Sequence, residues 1–228
     1  MNKNRSGWFR FLKGIIKIFV HKPKFVYLGE KVNGPSIVLS NHQGAVAPVK
    51  WELYADFPFR FWGTYEMNNG LKSTFKYLKN VYFFKKKHFS KFVSAILAFF
   101  ACPFANLFYK GLNLISTYPN IELKKTITES VKTIKNNQSL IIFPEDSSTG
   151  YHKKLSEFIA GFVVLANRCL KLGFDLPIYV SYYKKKEKEF IIDKPVMFSE
   201  LEKKKQTRKE IAKLMCNRAN ELADIVIK

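Results

Sequence analysis

Short apolar runs of strand length alternate along this chain with longer segments whose apolar residues recur at helical spacing. Apolar residues recur every three or four positions in 123–134, 155–166 and 211–226, as in helices that bury one face. The strand-like runs are 35–40, 59–64, 139–144, 176–183 and 190–192. Strands that alternate with such helices are typical of the α/β class. For 228 residues without a linker we predict a single α/β domain, with a mostly parallel or mixed central sheet flanked by helices.

The charge of the chain points to a polyanionic partner. It has 39 Lys and Arg against 18 Asp and Glu, a formal net charge of +21. Nucleic acid and an anionic membrane surface are the two candidates. Most of the basic residues are lysine, whereas arginine supplies the bidentate contacts that read bases. We therefore predict an anionic phospholipid surface as partner and no nucleic acid.

The first apolar segment, residues 8–20, has the pattern of a helix that lies in a membrane interface. Arg10, Lys13 and Lys17 fall on one helical face, and aromatic and aliphatic residues occupy the rest. The segment is too short to span a bilayer. We predict that residues 1–30 form an N-terminal amphipathic membrane-binding segment. The alternative is a helix packed on the domain.

A second segment, from Phe92 to Tyr109, contains 18 residues without a charge. As one helix it would be about 27 Å long, close to the thickness of a hydrocarbon core of about 30 Å. Pro103 lies inside it and disfavours a continuous helix. We predict a hydrophobic insertion at about 89–110 in a domain that covers 31–228, as a membrane-embedded or re-entrant hairpin. A buried pair of core helices is the alternative.

The cysteines exclude two classes of site. Cys102, Cys169 and Cys216 are odd in number and form no C-x-x-C pair, so neither a disulfide framework nor a cysteine zinc site is expected. No metal site is predicted. Cysteines that form no disulfides fit a reducing compartment. Together with the two apolar segments, they predict a peripheral or monotopic protein on the cytoplasmic face of the cell membrane.

Two polar groups directly follow strand-like runs. His42 comes after the run 35–40, and Glu145 comes after the run that begins at Ser139. In an open α/β sheet, ligands bind just beyond the carboxyl ends of the strands. The sequence lacks G-x-S-x-G, G-x-x-x-x-G-K, G-x-G-x-x-G and H-E-x-x-H. His42 and Glu145 are therefore the candidate reactive groups, with a structural histidine as the alternative.

The order of these segments resembles a known family. S-N-H-Q-G-A-V-A-P at 40–48 resembles the N-H-x-S-x-x-D block of the glycerolipid (lysophospholipid) acyltransferases, the 1-acyl-sn-glycerol-3-phosphate acyltransferase family. F-P-E-D-S-S-T at 143–149 resembles its F-P-E-G-T-R-S block. Phe158 and Gly161, followed by L-A at 165–166, resemble its F-K-x-G-x-x-x-L-A helix, and L-P-I at 176–178 resembles its V-P-[IV] strand.

The resemblance implies an acyltransferase of phospholipid biosynthesis. His42 would be the general base that takes the proton of a glycerol hydroxyl, which then attacks an acyl thioester. Acyl-CoA or acyl carrier protein would be the donor and a lysophospholipid or related alcohol the acceptor, and no cofactor is implied. The substrate-binding residues implied by the two blocks are Asn41, Gly44, Glu145, Ser147 and Ser148.

This chain departs from the family at the residue that orients the histidine. The family has Asp five positions after the histidine, where this chain has Ala47. We predict that Glu52 takes over and forms a catalytic pair with His42. Glu66 or Glu145 could also take over, and Glu52 could instead be a solvated helix residue.

The second departure concerns the acceptor phosphate. Ser148 stands where the family has Arg, and Asp146 replaces Gly. We therefore predict that Lys153 and Lys154, the nearest cations in sequence, meet the phosphate. Two other functions stay open at this point. One is a catalytically impaired relative that only binds lipid, and the other is a basic nucleic-acid-binding protein.

Overall fold

A computed structural model describes residues 5–118, 122–146 and 150–226 and shows a single α/β domain with a mixed central sheet. The strands are β1 Lys24–Tyr27, β2 Ile37–Ser40, β3 Phe59–Thr64, β4 Ile115–Thr117, β5 Ser139–Ile142, β6 Pro177–Lys184, β7 Glu189–Ile192 and β8 Val196–Met197. The α-helices are α1 Gly7–Phe19, α2 Val46–Tyr54, α3 Gly70–Tyr77, α4 Lys91–Leu112, α5 Leu123–Lys135, α6 Gly161–Leu170, α7 Phe198–Lys203 and α8 Arg208–Asp224. A 3₁₀ turn, Tyr65–Asn68, precedes α3, and a π-helix, Leu78–Lys86, follows it.

The sheet has the order β1-β7-β6-β2-β5-β3-β4, and β8 pairs with β6. β2 lies between β5 and β6 and runs parallel to both, with Leu39 opposite Ile142 and Val180. The β6–β7 and β6–β8 pairs are antiparallel. Because β2 and β5 are parallel neighbours, the residues that follow them emerge side by side at one edge of the sheet.

Alternate strand residues face two different cores, which makes the domain a three-layer structure. Ile37 and Leu39 belong to a cluster that the helices α5 to α8 complete. Val38, between them, faces the other side of the sheet, where a second core cluster contains Phe9 of α1 and Trp51 of α2. This burial on both sides explains why β2 and β5 read as continuous apolar runs. The prediction of an α/β domain with a mixed sheet is confirmed.

The helix predicted from residue 155 begins only at Gly161. The preceding residues are held in extended conformation, since Phe158 pairs in an antiparallel bridge with Glu145 and the Ile159 N–H donates to the Pro144 carbonyl at 2.7 Å. Leu155 and Phe158 are buried as predicted, but through this pairing rather than on a helix face. The early helix start is therefore wrong, and the extended segment instead fixes the backbone of Glu145.

The N-terminal segment is part of the domain. Phe9 is fully buried in the second core cluster, where its ring lies against Gly111, so close that a Cβ there would be 1.9 Å from Phe9 Cδ2. β1, which falls within residues 1–30, pairs in parallel with β7. The boundary predicted at 30/31 therefore cuts through the sheet and is wrong as a structural division. The opposite side of α1 leaves apolar residues exposed, among them Trp8, Phe11 and Ile18.

The uncharged segment forms one continuous helix, α4, rather than the predicted hairpin. Pro103 lies within it, and the helix packs against α3 and the π-helix on both sides of this proline, through Ala98 and Cys102 before it and Ala105 after it. The outward face is apolar and open, with Phe92, Phe99, Phe100 and Phe104 each at least 67% exposed. Among the described residues this is the one helix long and apolar enough to cross a membrane, judged by length and composition alone.

Candidate active site

His42 lies in a tight turn at the carboxyl end of β2. The next two residues, Gln43 and Gly44, both have positive φ, 45° and 71°. This left-handed pair turns the chain back, so that the carbonyl of Gly44 faces the imidazole of His42 with the Nδ1–oxygen distance at 2.9 Å. Glycine is favoured at such a position because a side chain strains it. The turn thus places a main-chain acceptor beside the ring nitrogen Nδ1 of His42.

This contact fixes the tautomer of His42. A carbonyl oxygen only accepts hydrogen bonds, so Nδ1 carries the proton and donates, and Nε2 of the neutral ring keeps its lone pair. Burial lowers the pKa of His42 to about 4, against a smaller opposing effect of the Gly44 hydrogen bond. The ring is therefore neutral at pH 7, and Nε2 is available to accept a proton.

Glu145 is the second group of the site, as its place after β5 predicts. Its Oε1 accepts a hydrogen bond from the His42 backbone N–H at 2.8 Å, and the residue is buried. Burial raises the pKa of Glu145 to about 7, while the hydrogen bond from His42 and the positive charge of Lys86 lower it. The structure thus brings together the two residues that the strand-end rule singled out, 103 positions apart in the chain.

Aromatic rings and two lysines surround the imidazole. The ring of Phe143 lies 4.5 Å from that of His42 between centroids, and Tyr151 lies at 5.4 Å. The ammonium groups of Lys86 and Lys87 lie 5.2 and 6.0 Å from the Tyr151 ring centre. Lys86 ends the π-helix, whose wide turns carry this basic run to the site. Both lysines and Tyr151 were absent from our sequence-based set, although K-K-K-H at 85–88 was a visible signal.

The predicted pairing of His42 with Glu52 is wrong. Glu52 is buried on α2, where Oε2 accepts from Arg5 Nη2 at 2.7 Å and Oε1 accepts from Lys13 Nζ at 2.7 Å. Its carboxylate therefore anchors the N-terminal segment, while the Gly44 carbonyl bonds the ring of His42. A solvated Glu52 is excluded as well, since the residue is 1% exposed.

The other predicted substrate-binding residues have different positions. Asn41 is fully buried, and its amide donates to the Tyr183 carbonyl at 3.2 Å and accepts from the Tyr183 N–H at 2.7 Å. It joins β2 to β6, so its predicted substrate contact is wrong. Ser147 and Ser148 lie outside the described residues. Lys153 and Lys154 have exposed side chains, and their role at a phosphate stays a prediction.

The described part of the site offers a base, a buried carboxylate and two cations, which suits proton abstraction from an anionic alcohol. Within that part of the chain, no three His, Cys, Asp or Glu side chains converge to hold a metal ion. Because Nδ1 of His42 donates to Gly44, Nε2 of the ring has its lone pair available to accept a proton. The site can therefore activate a hydroxyl group that approaches Nε2.

Comparison with known proteins shows a likeness in structure but none in sequence. The chain matches no known protein-family profile and no curated protein sequence. Its structure is similar to the crystal structure of a 1-acyl-sn-glycerophosphate (LPA) acyltransferase, PlsC, from Thermotoga maritima. The TM-score is 0.54 at 14% sequence identity, and the match covers 96% of this chain and 81% of that chain. The chain thus shares the fold of that acyltransferase.

Proposed function

We propose that this protein is an acyltransferase that moves an acyl chain from a thioester donor, acyl-CoA or acyl carrier protein, to a lysophospholipid or related glycerol hydroxyl. The observation that carries the proposal is the hydrogen bond from His42 Nδ1 to the Gly44 carbonyl, which leaves Nε2 without a proton. The histidine is thus oriented although Ala47 stands in place of the aspartate that the resemblance implies. The shared fold with an LPA acyltransferase and the family-like blocks at 40–48 and 143–149 support it.

In the proposed reaction His42 takes the proton of the acceptor hydroxyl on Nε2 as the oxygen attacks the thioester carbonyl carbon. The tetrahedral intermediate collapses by breaking the carbon–sulfur bond, and the thiolate takes the proton from the imidazolium. The products are the ester and the free thiol. The buried carboxylate of Glu145 accepts a hydrogen bond from the His42 backbone N–H and so helps to hold the base in place during the reaction.

The acceptor phosphate, in this proposal, is met by Lys87 and Lys86 rather than by arginine. Lys87 Nζ lies 3.7 Å from the point where a Cβ of Gly44 would be, so its charge is next to the catalytic turn. Its side chain is exposed and therefore accessible to a ligand. Lysine binds phosphate as a point charge, without the geometric demand of a guanidinium fork.

Lys87→Met is expected to raise the apparent KM for lysophosphatidate by about tenfold, since a hydrogen bond to a charged group contributes about 1.5–3 kcal/mol. The KM for the neutral counterpart, monoacylglycerol, should not change. Lys85→Met is the matched control, because Lys85 is an exposed lysine of the same π-helix. If the KM for lysophosphatidate rises about tenfold in the Lys153→Ala, Lys154→Ala double variant and not in Lys87→Met, the phosphate is met by Lys153 and Lys154, as predicted from the sequence.

We further propose that the protein binds a membrane through the exposed apolar faces of α1 and α4. The two helices are joined where Phe9 packs edge-on against Phe108, with ring centres 5.4 Å apart. This arrangement would bring the site to a surface where a lysophospholipid resides. The same +21 net charge favours the anionic cytoplasmic leaflet.

Phe104→Asp is expected to shift the protein toward the soluble fraction by at least about tenfold, because burying one Phe contributes about 1.5–3 kcal/mol. Phe104 is 77% exposed, so the change leaves the fold intact. Sedimentation with vesicles in 1 M salt measures the partition, since charge alone is screened there within about 3 Å. Leu172→Asp, at an exposed apolar residue after α6, is the control. Release of the wild type by salt alone would contradict the apolar contact.

The direct test of the function is an acyl-transfer assay on the purified protein in detergent. Acyl-CoA and acyl carrier protein are each offered with a panel of lysophospholipids and with monoacylglycerol, and the ester product is identified by mass spectrometry. We expect an ester product with at least one phosphate-bearing acceptor. Lipid binding without ester formation across the panel would favour the impaired relative, which the loss of Asp at Ala47 makes the second candidate.

A further inference from the structure

We infer that Glu145 is a positioning residue for His42, not a ligand of the acceptor, and that its carboxylate form is the one that supports turnover. The inference rests on the proposed function, because it concerns the same histidine. Family resemblance had placed Glu145 among substrate-binding residues, so the structure assigns it a different task.

The geometry gives His42 two attachments. Its backbone N–H donates to Glu145 Oε1 at 2.8 Å, and its Nδ1–H donates to the Gly44 carbonyl at 2.9 Å. Glu145 is itself held, since its backbone pairs with Phe158 in an antiparallel bridge. The carboxylate therefore ties the end of β2 to the end of β5 at the residue that performs the chemistry.

The surroundings of Glu145 make this attachment sensitive to pH near neutrality. Burial favours the protonated acid, whereas the His42 N–H and Lys86 favour the carboxylate, so the pKa of Glu145 is about 7. The negative charge of Glu145 also acts on three nearby groups, Tyr151, Tyr182 of β6 and Cys216 of α8. The pKa values of all three are raised, so they stay neutral at pH 7. Asp146, the next residue, adds a second acid beside Lys86.

The sign of the pH effect follows from the raised pKa. Below about pH 7 Glu145 gains a proton, and its oxygen then accepts the His42 N–H less strongly, so that the attachment of His42 to Glu145 weakens. His42 itself, with a pKa of about 4, does not titrate in this range. Turnover is therefore expected to fall as the pH drops through 7, with Glu145 as the responsible group.

Glu145→Gln tests this, because Gln keeps the acceptor oxygen and the volume but never carries the charge. The wild-type kcat should rise between pH 6 and 8 with a midpoint near 7. The kcat of the variant should not change over this range and should be about tenfold lower than that of the wild type at pH 8. The acceptor KM should be equal in both proteins. Glu157→Gln, at an exposed acid in the paired segment, should keep the wild-type profile. A raised acceptor KM with unchanged kcat, or a pH limb that persists in Glu145→Gln, would overturn the inference.

A second readout does not depend on acyl transfer. In protein labelled with ¹⁵N-histidine, the backbone amide signal of His42 is identified by its loss in His42→Gln. We expect this signal to shift with pH around a midpoint near 7 in the wild type and not in Glu145→Gln. If the wild type transfers no acyl group, the proposed function fails while this titration still supports the attachment. A His42 amide that is insensitive to Glu145 overturns the inference whatever the activity.

Discussion

Glu52→Gln is expected to lower the free energy of unfolding by about 3–5 kcal/mol, because it leaves two buried cations without their counterion. Arg5, Lys13 and Glu52 are 4%, 3% and 1% exposed, and both carboxylate oxygens of Glu52 are used. Burial lowers the pKa of Lys13, against the attraction of Glu52, so removal of the carboxylate also favours loss of the Lys13 proton. Chemical denaturation in detergent measures the effect.

Asp56→Asn is the matched control, since Asp56 is an exposed acid just after α2 and should change stability by about 0.5 kcal/mol at most. A triple change, Arg5→Met with Lys13→Met and Glu52→Leu, should recover most of the stability, because apolar residues can replace a buried ion cluster. Folded Glu52→Gln protein should keep the wild-type kcat. A large loss of kcat at unchanged stability would restore Glu52 to the catalytic pair that the structure contradicts.

The sheet and the site edge were predictable because their signals are local. Each buried strand reads as a short apolar run, and the residues that follow parallel strands lie at the same edge of a sheet. That rule singled out His42 and Glu145, and the structure joins the two by a hydrogen bond across 103 positions of the chain.

Three of the wrong predictions concern contacts between separate segments of the chain. Helix geometry places Glu52 on α2 but cannot show that Arg5 and Lys13 from the N-terminal segment lie against it. The apolar spacing of 155–166 fits a helix, and the bridge between Phe158 and Glu145 overrides it. Pro103 argues for a break, yet α4 continues because α3 and the π-helix pack along it.

The group that orients His42 belongs to the main chain, so no side-chain pattern in the sequence identifies it. The resemblance implies a carboxylate, which Ala47 does not supply, whereas in the structure the carbonyl of Gly44 accepts from Nδ1 of His42. Gly44 was a weak signal of a turn with positive φ. Ala47 is fully buried in the second core cluster, so a carboxylate at that position would enter apolar surroundings.

His42→Ala should lower kcat by at least about two orders of magnitude, within the usual range for a general base. Nε2 is the atom that receives the hydroxyl proton in our account, and alanine offers no substitute. The acceptor KM should change little, because Lys86 and Lys87 remain. Ala47→Asp should not exceed the wild type, since Nδ1 of His42 already donates to Gly44.

The measurement that tests the central claim most directly is therefore the rate of ester formation by three proteins in one assay: wild type, His42→Ala and Ala47→Asp. Circular dichroism on each confirms that it is folded. We predict transfer by the wild type, a loss of about 100-fold or more in His42→Ala, and no gain in Ala47→Asp. An inactive wild type that Ala47→Asp makes active would contradict the account, because it would show that the Gly44 carbonyl does not replace the missing carboxylate.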